Sequence, residues 1–135
     1  MQTNFAVTKT IKEKPFVSLF LKRNKRLFPK MKNVVLGTKY NLSLTFIGEK
    51  RIRSLNKTYR GKNRATDILS FPLSKNEGEI FINFDRAKVE AKKFSREMTN
   101  FILFLFIHGL CHLKGMRHGS TMEGEERKYR KRFNI

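Results

Sequence analysis

The sequence predicts an α+β (α/β) fold, a single compact domain over residues 1–135 with a small mixed β-sheet of about four strands packed with helices. Three observations carry this. A chain of 135 residues has no room for a second hydrophobic core. Stretches of period-two and period-3.6 hydrophobicity alternate along it in the order β-α-β-α-β-β-α-α-α, which suits one small sheet with mixed strand directions. Thirteen Phe supply core volume although 30% of the residues are charged.

The elements follow in order. Residues 3–8 form a short first strand. Pro15 opens a helix running to about Phe28, with Phe16, Leu19, Phe20 and Leu27 on one face and Lys22, Arg23, Lys25 and Arg26 mostly elsewhere. Such a basic amphipathic helix can serve a membrane surface or a calmodulin-like partner. The preferred reading packs its apolar face on the domain and turns its basic face to phosphate. Residues 40–47 alternate, with Leu42, Leu44 and Phe46 pointing one way and Asn41, Ser43 and Thr45 the other, as in a half-buried strand. Ile52, Leu55 and Tyr59 mark the apolar face of a helix starting near Glu49. Residues 66–72 read as a strand ended by Pro72, and a loop from Leu73 to Gly78 leads to a strand over Glu79 to Phe84. Asp85 caps a helix over about 86–94, and Ser95 caps the next. A charged helix from about Met122 docks through Tyr129 and Phe133.

Charge narrows the function. The chain has 30 Lys and Arg against 11 Asp and Glu, a formal net charge of +19. Residues 1–64 hold 17 of those cations and only 2 of the acids. Like charge at this density repels itself, and the partner that relieves it is a polyanion, nucleic acid first. No basic strand with interleaved aromatics is visible, so sequence readout by stacked bases is not expected. One Cys excludes an internal disulfide framework and fits a reducing compartment. The longest apolar run, Phe101 to Ile107, is too short to span a bilayer, and the N-terminus lacks a secretory h-region. The expectation is a cytoplasmic protein, a monomer with no membrane partner.

All three histidines lie in one segment, His108-Gly-Leu-Cys-His112-Leu-Lys-Gly115-Met-Arg-His118. On a helix, His108 and His112 are offset by about 40° and one turn, so both imidazoles reach one ion. On the same helix His118 would stand roughly 15 Å along the axis from His108, so the chain must turn back. Gly115 suits a left-handed helix stop that lets Met116 and Arg117 carry His118 round. Met98, Phe101, Leu105, His108 and His112 form one stripe, which places the histidines on the core side of their helix, in a cleft or beneath it. Three imidazoles with one position left open form the catalytic zinc pattern, so a single Zn²⁺ is expected. Cys111 is a candidate fourth ligand, but it points off that face. In an HExxH protease the residue after the first His is a Glu general base. Here it is Gly109, which argues against a peptidase.

Arg60, Lys62 and Arg64 sit in a loop between a helix and a strand. Such a loop can hold cations at the mouth of a cleft, where the planar Arg fork matches phosphate.

Three stretches together resemble the YbeY endoribonuclease family of bacterial rRNA maturation factors. They are His108-Gly109-x-x-His112-Leu113-x-Gly115-x-x-His118, then Leu55-Asn56-x-x-Tyr59-Arg60-x-Lys62-x-x-x-Thr66-Asp67-Ile68-Leu69-Ser70-Phe71-Pro72, and Gly78-Glu79-Ile80. The resemblance covers about residues 40–130. It implies a compact α/β domain, one zinc on His108, His112 and His118, and Arg60 in the cleft facing the metal. It also implies cleavage of single-stranded RNA, maturation of small-subunit rRNA ends and ribosome quality control. Arg60 and His108 form the expected catalytic set, and Arg60, Lys62, Arg64 and Arg117 the expected RNA contacts. There are departures. The family usually has Asp immediately before the third His, where this chain has Arg117. Cys111 replaces the usual Leu, and Glu79 stands where Asp is common. A carboxylate at 117 could orient a ligand; Arg117 cannot, although it could meet a phosphate. No side-chain base is evident beside the metal, and the nucleophile is either water or the RNA 2′-hydroxyl. The rival reading is a non-catalytic, rRNA-binding assembly factor with a structural zinc.

Overall fold

The computed structural model describes residues 5–9 and 15–135. The elements are β1 (Phe5–Lys9), α1 (Pro15–Arg23), α2 (Leu27–Leu36), β2 (Asn41–Ile47), α3 (Glu49–Arg60), β3 (Ile68–Ser74), β4 (Glu77–Asn83), α4 (Phe84–Lys93), α5 (Met98–Leu113) and α6 (Ser120–Arg132). One four-stranded sheet has the order β1-β2-β4-β3. The pairs β1–β2 and β2–β4 are parallel, and β3–β4 is an antiparallel hairpin. The expected small mixed sheet of an α+β domain is therefore present.

The two faces of the sheet are covered unequally. Leu42, Leu44 and Phe46 of β2 and Ile80 and Ile82 of β4 turn toward the main core, where α5 is the central helix. Around them the rings of Phe20, Phe28, Phe46, Phe84 and Phe106 meet edge to face, with centroids 5.0–6.3 Å apart. Edge-to-face pairs add to what burial alone contributes, so this cluster locks α1, α2, β2, α4 and α5 together. On the other face α3 covers only part of the sheet, over a small cluster of Ile47, Ile52 and Leu69.

Several expectations need correction. The first strand is placed at Phe5–Lys9 rather than 3–8, and residues 3 and 4 lie outside the described residues, as does the side chain of Phe16. The long helix from Pro15 to Phe28 is two helices. Both the backbone N–H and the side-chain amide of Asn24 donate to the carbonyl of Phe20, at 3.1 and 2.8 Å, and this local competition ends α1. Pro29 then falls in the first turn of α2, where no intrahelical N–H bond is lost. Leu19, assigned to the packed face, is exposed. Pro72 does not end β3, because β3 is an edge strand and needs no outward N–H donor there; the register shifts only just beyond it. The expected loop from Leu73 to Gly78 is instead the tight end of the β3–β4 hairpin. Asn83, not Asp85, caps α4: its Oδ1 accepts from the Arg86 amide at 3.1 Å. Ser95 sits at φ +51° before α5 rather than capping it, and Glu97 holds the N-cap position. The last helix begins at Ser120, and Tyr129 is buried as expected.

Candidate metal centre

α5 is apolar around nearly its whole circumference. Ten of its sixteen residues are buried, so no single face marks its core side. From Phe101 to Leu113 the breaks in burial are Phe104, His108 and His112, spaced four apart. The histidines therefore lie on the open stripe of α5, which corrects their expected core-facing placement. Their direction is set by Gly109 on the adjacent, sheet-facing side. A Cβ there would lie 3.0 Å from Ile68 Cδ1, Ile80 Cδ1 and Ser70 Oγ. Only Gly lets α5 approach β3 and β4 this closely.

The helix ends as the spacing predicts. Gly115 adopts φ +98°, its N–H donates to the His112 carbonyl at 2.9 Å, and the Met116 N–H donates to the Cys111 carbonyl at 3.1 Å. This pair of bonds is a Schellman stop, and Met116 packs against the core beyond it. The reversal returns His118 to the helical pair. The three imidazoles each offer a nitrogen within 4.8 Å of the others. Nε2 of His108 and Nε2 of His112 are 3.1 Å apart, and the ring centroids of His118 lie 5.2 and 4.6 Å from those of His108 and His112. His118 is exposed and the other two are half-buried, so the cluster opens to solvent.

A carboxylate that the sequence reading missed completes the arrangement. Glu126 of α6 is 6% exposed and its Oε2 lies 3.2 Å from Nδ1 of His108. A carboxylate only accepts, so Nδ1 is the donor, and in the neutral ring the lone pair sits on Nε2, toward the other imidazoles. Arg130, one turn on, stands 3.9 Å from the same oxygen. The ligand-orienting carboxylate absent at Arg117 thus comes from a different element. Its signal was Met122-x-x-x-Glu126-x-x-Tyr129, an acid at helical spacing between two residues that dock α6. Glu126→Gln is expected to weaken metal affinity about tenfold to a hundredfold, measured by competition with a chelating dye. Unchanged affinity would remove Glu126 from the site.

The surroundings favour a neutral imidazole at His112. Burial first, then the positive charges of His108, His118 and Arg60, hold His112 below the ordinary imidazole value of 6.5. Its lone pair therefore remains available where a surface histidine would already be protonated. Asp67 also feels the His108 imidazole, but burial dominates and pushes its carboxyl above the usual range. Cys111 is fully buried, turned about 100° around α5 from its neighbour His112, and burial raises its thiol to about 12. It is a small core residue, not a fourth ligand.

The expected basic residues divide into two groups. Arg60, the last residue of α3, donates from Nη2 to the Ser70 carbonyl at 2.9 Å, and its guanidinium carbon lies 5.5 Å from the Phe71 ring centroid. It thereby crosses the free edge of β3 toward the side where α5 lies, close enough for His112 to sense its charge. Lys62 and Arg64 are exposed on the following loop, which buried Asn56 ties to α3 by donating to the Arg64 carbonyl at 3.0 Å. Among the described residues, no contact joins Lys62 or Arg64 to the imidazoles. Arg117 is exposed immediately before His118.

The donor set fits a divalent transition metal: three imidazoles converge, one is oriented by a carboxylate, and one side stays open. Fold and site together define the class: an α+β domain with three histidines placed so that they could hold a metal ion. The family model described as Endoribonuclease YbeY matches residues 5–134, so the chain belongs to the YbeY endoribonuclease family. A relative named Endoribonuclease YbeY from Onion yellows phytoplasma (strain OY-M) is 36% identical over 131 residues, covering 90% of this chain and 80% of that protein. One of the same name from Alkaliphilus metalliredigens (strain QYMF) is 37% identical over 102 residues, covering 67% of this chain and 66% of that protein. The solution structure of TM1509 from Thermotoga maritima matches with a TM-score of 0.66 at 26% identity, over 93% of this chain and 85% of that one.

Proposed function

We propose that the protein is a zinc-dependent endoribonuclease that cleaves single-stranded RNA in the maturation of small-subunit rRNA and in ribosome quality control, in the cytoplasm. The observation that carries this reading is the solvent-open imidazole cluster with a guanidinium beside it, on a chain of net charge +19. His108, His112 and His118 hold the ion, with His108 fixed by Glu126. A divalent metal there supplies Lewis acidity toward a phosphoryl oxygen and lowers the pKa of water. Arg60 binds the scissile phosphate. One of its N–H groups is spent on Ser70, which fixes the plane of the fork, and the remaining donors stay available to phosphate oxygens. Arg117, next to His118, and the loop cations Lys62 and Arg64 bind flanking phosphates.

The reading of a non-catalytic assembly factor with a structural zinc is not favoured. A structural zinc site is closed, whereas this cluster faces solvent. Among the described residues no helix is long and apolar enough to cross a membrane. The test is cleavage of an end-labelled single-stranded RNA by zinc-loaded protein, by chelated protein and by Arg60→Ala. Chelation should stop cleavage while the circular dichroism spectrum persists, and Arg60→Ala should slow it about a hundredfold. Wild-type rates in both would refute the assignment. Cyclic phosphate ends would identify the 2′-hydroxyl as nucleophile, and their absence would identify water.

A further inference from the structure

The sparse cover that α3 gives its face of the sheet leaves aromatic surface in the open. Tyr59 is 69% exposed, although its spacing with Ile52 and Leu55 assigns it to the packed face of α3. Its ring lies 5.6 Å from that of Phe71, which in turn lies 5.9 Å from Phe81. Leu73, 54% exposed, extends the apolar surface along β3. Together they line a cavity of about 480 Å³ whose acidic member is Glu79. One exposed ring beside two half-buried ones and an exposed leucine is an unsatisfied surface in a chain with no shortage of charged residues.

We infer that Tyr59, Phe71 and Leu73 form a stacking site for an unpaired RNA base next to the scissile phosphate. This rests on the nuclease reading and names how that site grips its substrate. Three observations select RNA as the occupant. α3 carries five Lys and Arg against one acid, and Lys62 and Arg64 follow it, so the rim suits a phosphate backbone. A second copy of this chain would bring the same cations against these. The third observation is continuity: Phe71 touches Tyr59 on the cavity side and lies under the Arg60 guanidinium. A base stacked on Tyr59 therefore places its own phosphate at Arg60, which is held on the carbonyl of Ser70, the residue whose hydroxyl packs against Gly109 beside His108. Aromatic faces accept any base, so the site selects single strands over duplexes without selecting sequence. The rings come from a helix end and two strands, so no single strand carries the pattern.

The experiment is fluorescence anisotropy with a labelled single-stranded RNA oligomer, using chelated full-length protein so that binding is read without cleavage. The comparison ligand is an abasic ribose-phosphate oligomer of equal length. Tyr59→Ala should weaken RNA binding about 5- to 150-fold, leave abasic binding within about twofold, and be rescued by Tyr59→Phe. Equal loss on both ligands, or no loss on RNA, would overturn the stacking site while leaving the nuclease reading intact. A dimer in light scattering that Tyr59→Ala dissolves, with RNA affinity unchanged, would assign the surface to self-association and overturn it too. Failure of wild-type protein to bind RNA would overturn both readings.

Discussion

His112→Ala is expected to fold, to lose its tightly bound metal and to cleave RNA at least about a thousandfold more slowly, since several kcal/mol of charge stabilisation goes with the ion. The fold should survive because His112 sits on the open stripe of α5, where its ring fills no core space. Ala is the best helix former, and the change relieves the crowding of three imidazoles. Metal content by mass spectrometry, a thermal melt and the end-labelled RNA assay read the three effects separately. The control matters for a protein this basic, which can carry a foreign nuclease through purification. Cleavage at the wild-type rate by metal-free His112→Ala would remove the histidine cluster from the reaction.

Gly109→Glu should be the most damaging single change in the motif, costing at least about 4 kcal/mol or preventing folding altogether. It installs the general base of an HExxH protease, and the structure shows why that base has no place here. The Cβ alone would crowd two isoleucine methyls and the Ser70 hydroxyl at 3.0 Å. A carboxylate beyond it would be driven into the contact between α5 and the sheet. Gly109→Ala is the graded control. Its overpacking cost of about 1–3 kcal/mol is partly offset by a gain of about 1 kcal/mol in helix propensity. Urea melts of the two variants test this, and a Gly109→Glu protein as stable as wild type would refute the packing account.

The parts of the molecule that could be read from sequence are those with short-range causes. Leu42, Leu44 and Phe46 alternate with polar residues, so β2 and its buried face follow from periodicity. The histidine pair and the Gly115 reversal follow from helix geometry and one left-handed residue. What escaped depends on partners distant in the chain. A helix buried all round has no amphipathic signal, so α5 gave no clue to which side of it lay open. Glu126 looked like one more charge on a basic helix until α6 was seen to dock beside His108. Tyr59 belongs to the period that marks α3, and only the tertiary arrangement shows that α3 stops short of covering Phe71. The break at Asn24 was local, but a side-chain amide bonding back to a helix carbonyl leaves no periodic trace.

The hydrogen bond from Arg60 to Ser70 has a consequence unrelated to catalysis. β3 borders the sheet, and an uncovered border strand invites pairing with another chain. The carbonyl of Ser70 is already taken by Arg60, and Pro72 two residues on has no N–H to offer. Arg60 and Pro72 thus blunt the margin from which an aggregate would grow. Exchanging Arg60 for a shorter side chain opens that margin, so such a protein should be judged by its solubility as well as by its activity.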